Sequence, residues 1–298
     1  MIRTLRTFSI ALALLAVALA PAAFAGDSID FTKAPAQGAK FKVTEVNNAV
    51  INVSAEANGQ TFEMKTKVTG KEAYTHKILE VKDGQTVVIE REYEDAGSKT
   101  VTEAAMLPEP QEKDDESPLA WKVIRASWND GTLELKVKDG EDWKAAEEKI
   151  ASKLTSKALH SPLLPLPAGP KEVGESWELD SDALKEYFPS EQFGGAAGSE
   201  MNGEFKATLK SIQEVDGLEC GVIEFTLKLT VESGEGPSMS FDLKGTAHYS
   251  TKHCFVIKTV ADGKMTSEFE GEQQGVSVSQ KVNGDMKLNT TATPVTDE

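Results

Sequence analysis

Strict alternation of apolar and polar side chains recurs along this chain and restricts its fold more than any other feature. Phe62, Met64, Thr66 and Val68 are separated by Glu63, Lys65 and Lys67. Leu133, Leu135 and Val137 alternate with Glu134, Lys136 and Lys138. Ile223, Phe225, Leu227, Leu229 and Val231 alternate with Glu224, Thr226, Lys228 and Thr230. Neighbouring side chains of a strand point to opposite faces, so each segment puts one face on a core and the other in water, as antiparallel sheets do. Asp83-Gly84, Asp130-Gly131, Asp216-Gly217 and Asp262-Gly263 supply the left-handed backbone of tight hairpin turns. The expected fold is mainly β with a few helices (α+β), built of antiparallel curved sheets in meanders.

The same punctuation points to an internal duplication. Ile78 to Gly84 followed by Val88-Ile89-Glu90 resembles Ile212 to Gly217 followed by Val222-Ile223-Glu224. Val123-Ile124-Arg125 before Asp130-Gly131 resembles Val256-Ile257-Lys258 before Asp262-Gly263, and Gly38 to Phe41 resembles Gly174 to Trp177. Matches in one order at nearly fixed spacing predict two β-meander units around a central helix. That helix is expected from Trp143, Ala146, Ile150, Leu154 and Ala158, whose spacing makes one apolar stripe, with Asp142 as N-cap. A shorter helix is expected over 182–188. Three prolines in Ser161 to Pro167 make an extended connector.

The first 25 residues have the layout of an export signal. Arg3 and Arg6 precede the apolar run Ile10 to Ala20, and Ala23-Phe24-Ala25 gives a small-x-small cleavage pattern ahead of Gly26. The run is about half of the roughly 20 apolar residues that span a bilayer. No later stretch is apolar enough to span one either, so no membrane span is expected. The division is therefore 1–25 signal peptide, 26–140 first β-rich unit, 141–172 helix and Pro-rich connector, 173–290 second β-rich unit and 291–298 flexible tail. The expected location is periplasmic or extracellular.

Losing Arg3 and Arg6 takes the net charge from −16 to −18, a balance that disfavours phosphate backbones; nucleic acid is excluded as a partner class. Cys220 and Cys254 form a candidate disulfide pair in an oxidising compartment, where closing that loop contributes roughly 4 kcal/mol. An alternative is two separate thiols.

Candidate chemistry is sparse. The acidic run between Pro108 and Pro118 reads as a solvated loop, since contiguous Asp114-Asp115-Glu116 lacks the glycine turn of a calcium loop. His76, His160, His248 and His253 show no paired zinc-ligand spacing. No Gly-x-Ser-x-Gly elbow is present, and Gly194, Gly195 and Gly198 lack the Lys-Ser/Thr of a phosphate cradle. Catalytic residues, metal ligands and cofactors are all expected to be none. Trp121, Trp128, Trp143 and Trp177 fall within 57 residues and are the candidate lining of an apolar pocket, or else core.

Leu164-Pro165-Leu166-Pro167 and Val173-Gly174-Glu175-Ser176-Trp177 resemble a signature of uncharacterised exported β-rich bacterial proteins, in which it introduces a second β-rich half. That resemblance implies export and architecture and carries no activity. A looser likeness, in element order alone, is to periplasmic lipoprotein carriers and lipid-binding relatives, which implies a curved sheet around helices. The leading expectation is a non-enzymatic module binding a lipid or other apolar small molecule. The alternatives are a structural or interaction protein contacting an envelope protein, and a hydrolase without a recognisable motif.

Overall fold

The computed structural model describes residues 28–57, 59–105, 107–129, 132–138, 143–151, 154–155, 164–188, 199–232, 238–273 and 276–296. Ala23, Ala25 and Gly26, which flank the expected cleavage site, lie outside them. The first half holds β1 (Ser28–Asp30), β2 (Lys40–Ala57), β3 (Gln60–Lys82), β4 (Gln85–Ala104), β5 (Gln111–Glu116), β6 (Val123–Asn129) and β7 (Thr132–Lys138). Helix α1 (Trp143–Ala151) follows. Then come β8 (Pro170–Glu172), β9 (Ser176–Leu179) and helix α2 (Ser181–Lys185). The chain closes with β10 (Glu200–Val215), β11 (Leu218–Glu232), β12 (Ser238–Ser250), β13 (Phe255–Gln273) and β14 (Val276–Pro294).

The mainly β, antiparallel expectation holds. One sheet runs β7-β6-β4-β3-β2-β14-β13-β12-β11-β10-β9, with β5 beside the far half of β4, while β1 and β8 pair separately. The two halves share this sheet through the β2–β14 seam, which runs from Ala57 opposite Val278 to Phe41 opposite Pro294. Thr291 to Pro294, expected in a flexible tail, are the last rungs of that seam. Their side chains are small, but Ala292 is buried opposite Val43 and the backbone bonds continue.

Asp83-Gly84 and Asp216-Gly217 turn the β3–β4 and β10–β11 hairpins with φ of 51° and 76°, and of 52° and 77°. Asp262-Gly263 makes no turn. It lies within β13, paired with Lys244 and Leu243 on one side and with Lys287 and Met286 on the other. A Cβ at Gly263 would lie 2.4 Å from the Asp242 carbonyl oxygen, so this glycine serves close strand approach. Asp130-Gly131 lies outside the described residues.

Each half begins with the same device. Gly38 (φ 87°) donates its N–H to the Ile78 carbonyl at 2.8 Å, and Ile78 N–H returns to Ala39 at 2.9 Å. Gly174 (φ 93°) donates to Leu209 at 2.7 Å, and Leu209 returns to Glu175 at 3.0 Å. Three residues after each glycine sits a buried aromatic ring, Phe41 or Trp177. A register shift follows Ile78 in β3 and Leu209 in β10.

Helix α1 buries Ala146 and Ile150, and Leu154 just beyond it, as the stripe predicts. Ala158 and Asp142 lie outside the described residues. Helix α2 is capped by Asp180, whose Oδ1 accepts from the Ala183 N–H at 3.0 Å. The acidic run is a strand rather than a loop. Gln111 to Glu116 form β5 against Gly97 to Thr102, exposed throughout, with Lys99 on Glu112 at 2.7 Å. Charges on both faces of an edge strand disfavour further pairing there.

Two cores sit on the sheet. Phe41, Tyr74, Ile78, Ile89, Tyr93 and Ile124 pack with Ile150 of α1 in the first. The second gathers Phe205, Leu227, Leu229, Phe241 and Tyr249 with Phe31, Leu164, Leu166 and Trp177.

Candidate apolar surface and its surroundings

Residues opposite one another across an antiparallel ladder share a face. Eight strands therefore line up Ala104, Met64, Val53, Val282, Ser267, Met239, Val231 and Met201 in one row. The next row on that face is Thr102, Thr66, Ile51, Gly284, Met265, Phe241, Leu229 and Gly203. Between them on the opposite face runs Glu103, Lys65, Asn52, Asn283, Thr266, Ser240, Thr230 and Asn202, all polar. The sheet is amphipathic over roughly 34 Å at ordinary strand spacing.

Burial along the apolar face is uneven. Met201, Val231, Leu229 and Phe241 are dry, whereas Met239, Met265, Met286, Ile51, Val53 and Val282 are half-buried. At the tip of the β2–β3 hairpin Met64 is 39% exposed and Phe62 40%. One apolar surface thus runs from a packed core into solvent. Wet apolar area of this kind is unfavourable by about 25 cal/mol per Å² until something covers it.

The four tryptophans do not share one pocket. Trp177 is buried in the second core, its Nε1 donating to the Pro165 carbonyl at 3.4 Å and its ring 5.7 Å from Phe31. Trp128 packs on the first core. Trp121 is 72% exposed, at φ 62° in the turn before β6. The Trp143 side chain lies outside the described residues. Cys220 and Cys254 are free thiols and the candidate disulfide is not formed. Cys220 is buried in β11, while the Cys254 Sγ faces the Thr251 carbonyl within the β12–β13 turn at 3.6 Å.

A buried polar group in the first core escaped sequence reasoning. Arg91, 5% exposed, lies over the Tyr74 ring at 4.8 Å, and its Nε donates to His76 Nδ1 at 3.4 Å. Tyr74 donates to Glu45 at 2.6 Å. Burial, with the Arg91 charge second, holds His76 well below its usual pKa; burial also pushes the Tyr93 phenol up to about 12. His76 therefore stays neutral. The alternation of Tyr74, His76 and Ile78 places all three on one face, but nothing in the sequence signals that Arg91 joins them.

Among the described residues no three His, Cys, Asp or Glu side chains gather as a metal site, and no helix is long and apolar enough to cross a membrane.

No family model and no curated protein matches the chain. Among solved structures, one of lipovitellin, titled for its lipid–protein interactions, aligns with 88% of this chain at 6% identity and a TM-score of 0.43. This chain spans about a quarter of that protein, 26% of its length. The COG4313 outer membrane channel from Pseudomonas putida F1 aligns over 88% of this chain and 97% of its own, at 11% identity and TM-score 0.21. A DUF1329 family protein from Desulfovibrio piger aligns over 83% of each chain, at 10% identity and TM-score 0.11. At these scores neither family nor function follows from the alignments.

Proposed function

We propose that this chain is an exported, non-enzymatic protein of the cell envelope that binds lipid acyl chains along the apolar face of its central sheet. The observation that carries the reading is the uncovered stretch of that face, from Ile51 and Val53 to Met64 and Phe62, backed on the opposite face by the polar side chains Asn52, Ser54, Glu63 and Lys65. Half-buried methionines at 239, 265 and 286 suit a mobile aliphatic guest, because unbranched thioether side chains adapt to irregular shapes. The export signal supplies the compartment in which such a guest is met.

The test is native mass spectrometry and displacement of an apolar fluorescent probe by a long-chain phospholipid. Wild type is expected to take up probe and lipid. Val53→Asp with Met64→Lys is expected to weaken both at least tenfold, and Lys65→Glu on the polar face to leave them unchanged. Absence of any bound or bindable lipid in the full protein overturns the proposal.

A further inference from the structure

A cavity lies where the two halves meet, away from the apolar rows of the central sheet. It holds about 380 Å³ and is walled by Phe31, Val87, Trp128, Leu166 and Leu179, with Thr32, Gln85, Thr86, Glu186 and Tyr187 as its polar residues. That volume, with aromatic and aliphatic walls beside a polar side, falls in the range of ordinary small-molecule sites. Every wall comes from a different segment. Thr86 and Val87 begin β4, Trp128 lies in β6, Phe31 follows β1, Leu166 belongs to the connector, and Leu179 ends β9. Glu186 and Tyr187 follow α2.

One of its polar groups is unfinished. Thr86 is 3% exposed and its Oγ1 has no hydrogen-bond partner. A buried hydroxyl left unpaired is unfavourable, and such groups are rare enough in folded proteins to require an explanation. Tyr187, by contrast, already donates its hydroxyl to the Leu166 carbonyl at 3.2 Å. Thr32 likewise donates its hydroxyl to Asp30 at 2.6 Å, and Gln85 is exposed, so the cavity offers aromatic and aliphatic walls and one buried hydroxyl, that of Thr86, left to donate and accept. The Glu186 carboxylate at its lining disfavours an anion.

We infer that this cavity is a binding site for a small, neutral aromatic or alicyclic molecule carrying one hydroxyl or carbonyl group, which hydrogen-bonds to Thr86. The guest lies against the rings of Phe31 and Trp128 and links the connector to both halves. This site is independent of the acyl-chain surface, whose residues do not line it.

The experiment uses 1-naphthol and naphthalene as probes on the full protein, followed by ligand-observed NMR and calorimetry. Wild type is expected to bind 1-naphthol more tightly than naphthalene. Thr86→Val, which keeps the shape and removes the hydroxyl, is expected to weaken 1-naphthol about fivefold and leave naphthalene unchanged. Leu179→Trp, which fills the cavity, is expected to abolish both, with unfolding midpoints confirming that each variant folds. Met64→Lys, on the distant sheet face, is expected to change neither, separating this site from lipid uptake. Equal 1-naphthol binding by wild type, Thr86→Val and Leu179→Trp overturns the inference. So does a failure of wild type to bind either probe, which would leave Thr86 paired with a buried water only.

Discussion

Burial keeps His76 uncharged inside the first core, and that makes stability depend on pH. Its folded-state pKa lies well below the usual 6.5, so between that value and 6.5 the unfolded chain binds a proton that the folded chain excludes. Stability then rises with pH through this window and is lost on acidification. The midpoint of thermal unfolding should fall between pH 7 and pH 5, and His76→Leu should flatten that slope. An unchanged slope would place the titration elsewhere. His248 and His253 shift in the same direction, again mainly through burial, and supply the residual dependence. Cys220 gives a second residue-scale prediction, because burial pushes its thiol up to about 11. Native protein at pH 7 should resist alkylation at Cys220, and unfolded protein should not. A non-reduced peptide map joining Cys220 to Cys254 would contradict the free-thiol arrangement. Gly263→Ala brings a Cβ against the Asp242 carbonyl within a packed ladder and should cost about 1–3 kcal/mol by denaturant midpoint. The Asp262-Gly263 dipeptide is chemically the same as the two that do turn the chain. Its role is set by neighbouring strands, and those are not adjacent in sequence.

At the scale of elements, the seam between β2 and β14 joins two halves that local pattern treats as separate units. Ending the chain after Thr290 removes the rungs from Thr291 to Pro294 and uncovers Phe41 and Val43. That truncation should lower the unfolding midpoint clearly, whereas ending it after Thr296 should not. Equal midpoints would show that the last rungs contribute nothing. Long alternating strands, both Asp-Gly hairpins and the Ala146–Ile150–Leu154 stripe were legible because each is a local pattern. Strand β5 was not, since Gln111 to Glu116 has no apolar face and pairs with β4 only because an edge is open there. Nor was the pairing of β1 with β8, two segments of three residues each that lie about 140 residues apart in the chain.

Across the whole molecule, one amphipathic sheet is shared by two cores, and its apolar face is covered at the β10–β12 side and wet at the β2–β3 tip. Coverage of that face by a guest should stabilise the protein by mass action, so saturating phospholipid should raise the unfolding midpoint. No rise with wild type would count against the acyl-chain reading. The amino-acid sequence by itself determined the strand content, the antiparallel pairing of the main hairpins and the amphipathic stripe of α1. These follow from side-chain period and turn chemistry within a few residues. Only the tertiary structure decided that the halves form one sheet, that Trp128 and Trp177 serve different cores, and that Arg91 stacks on Tyr74. It alone also brought Thr86, Phe31 and Trp128 around one cavity. Each of those outcomes depends on which distant strands meet and in what register, a global packing choice that no local period encodes.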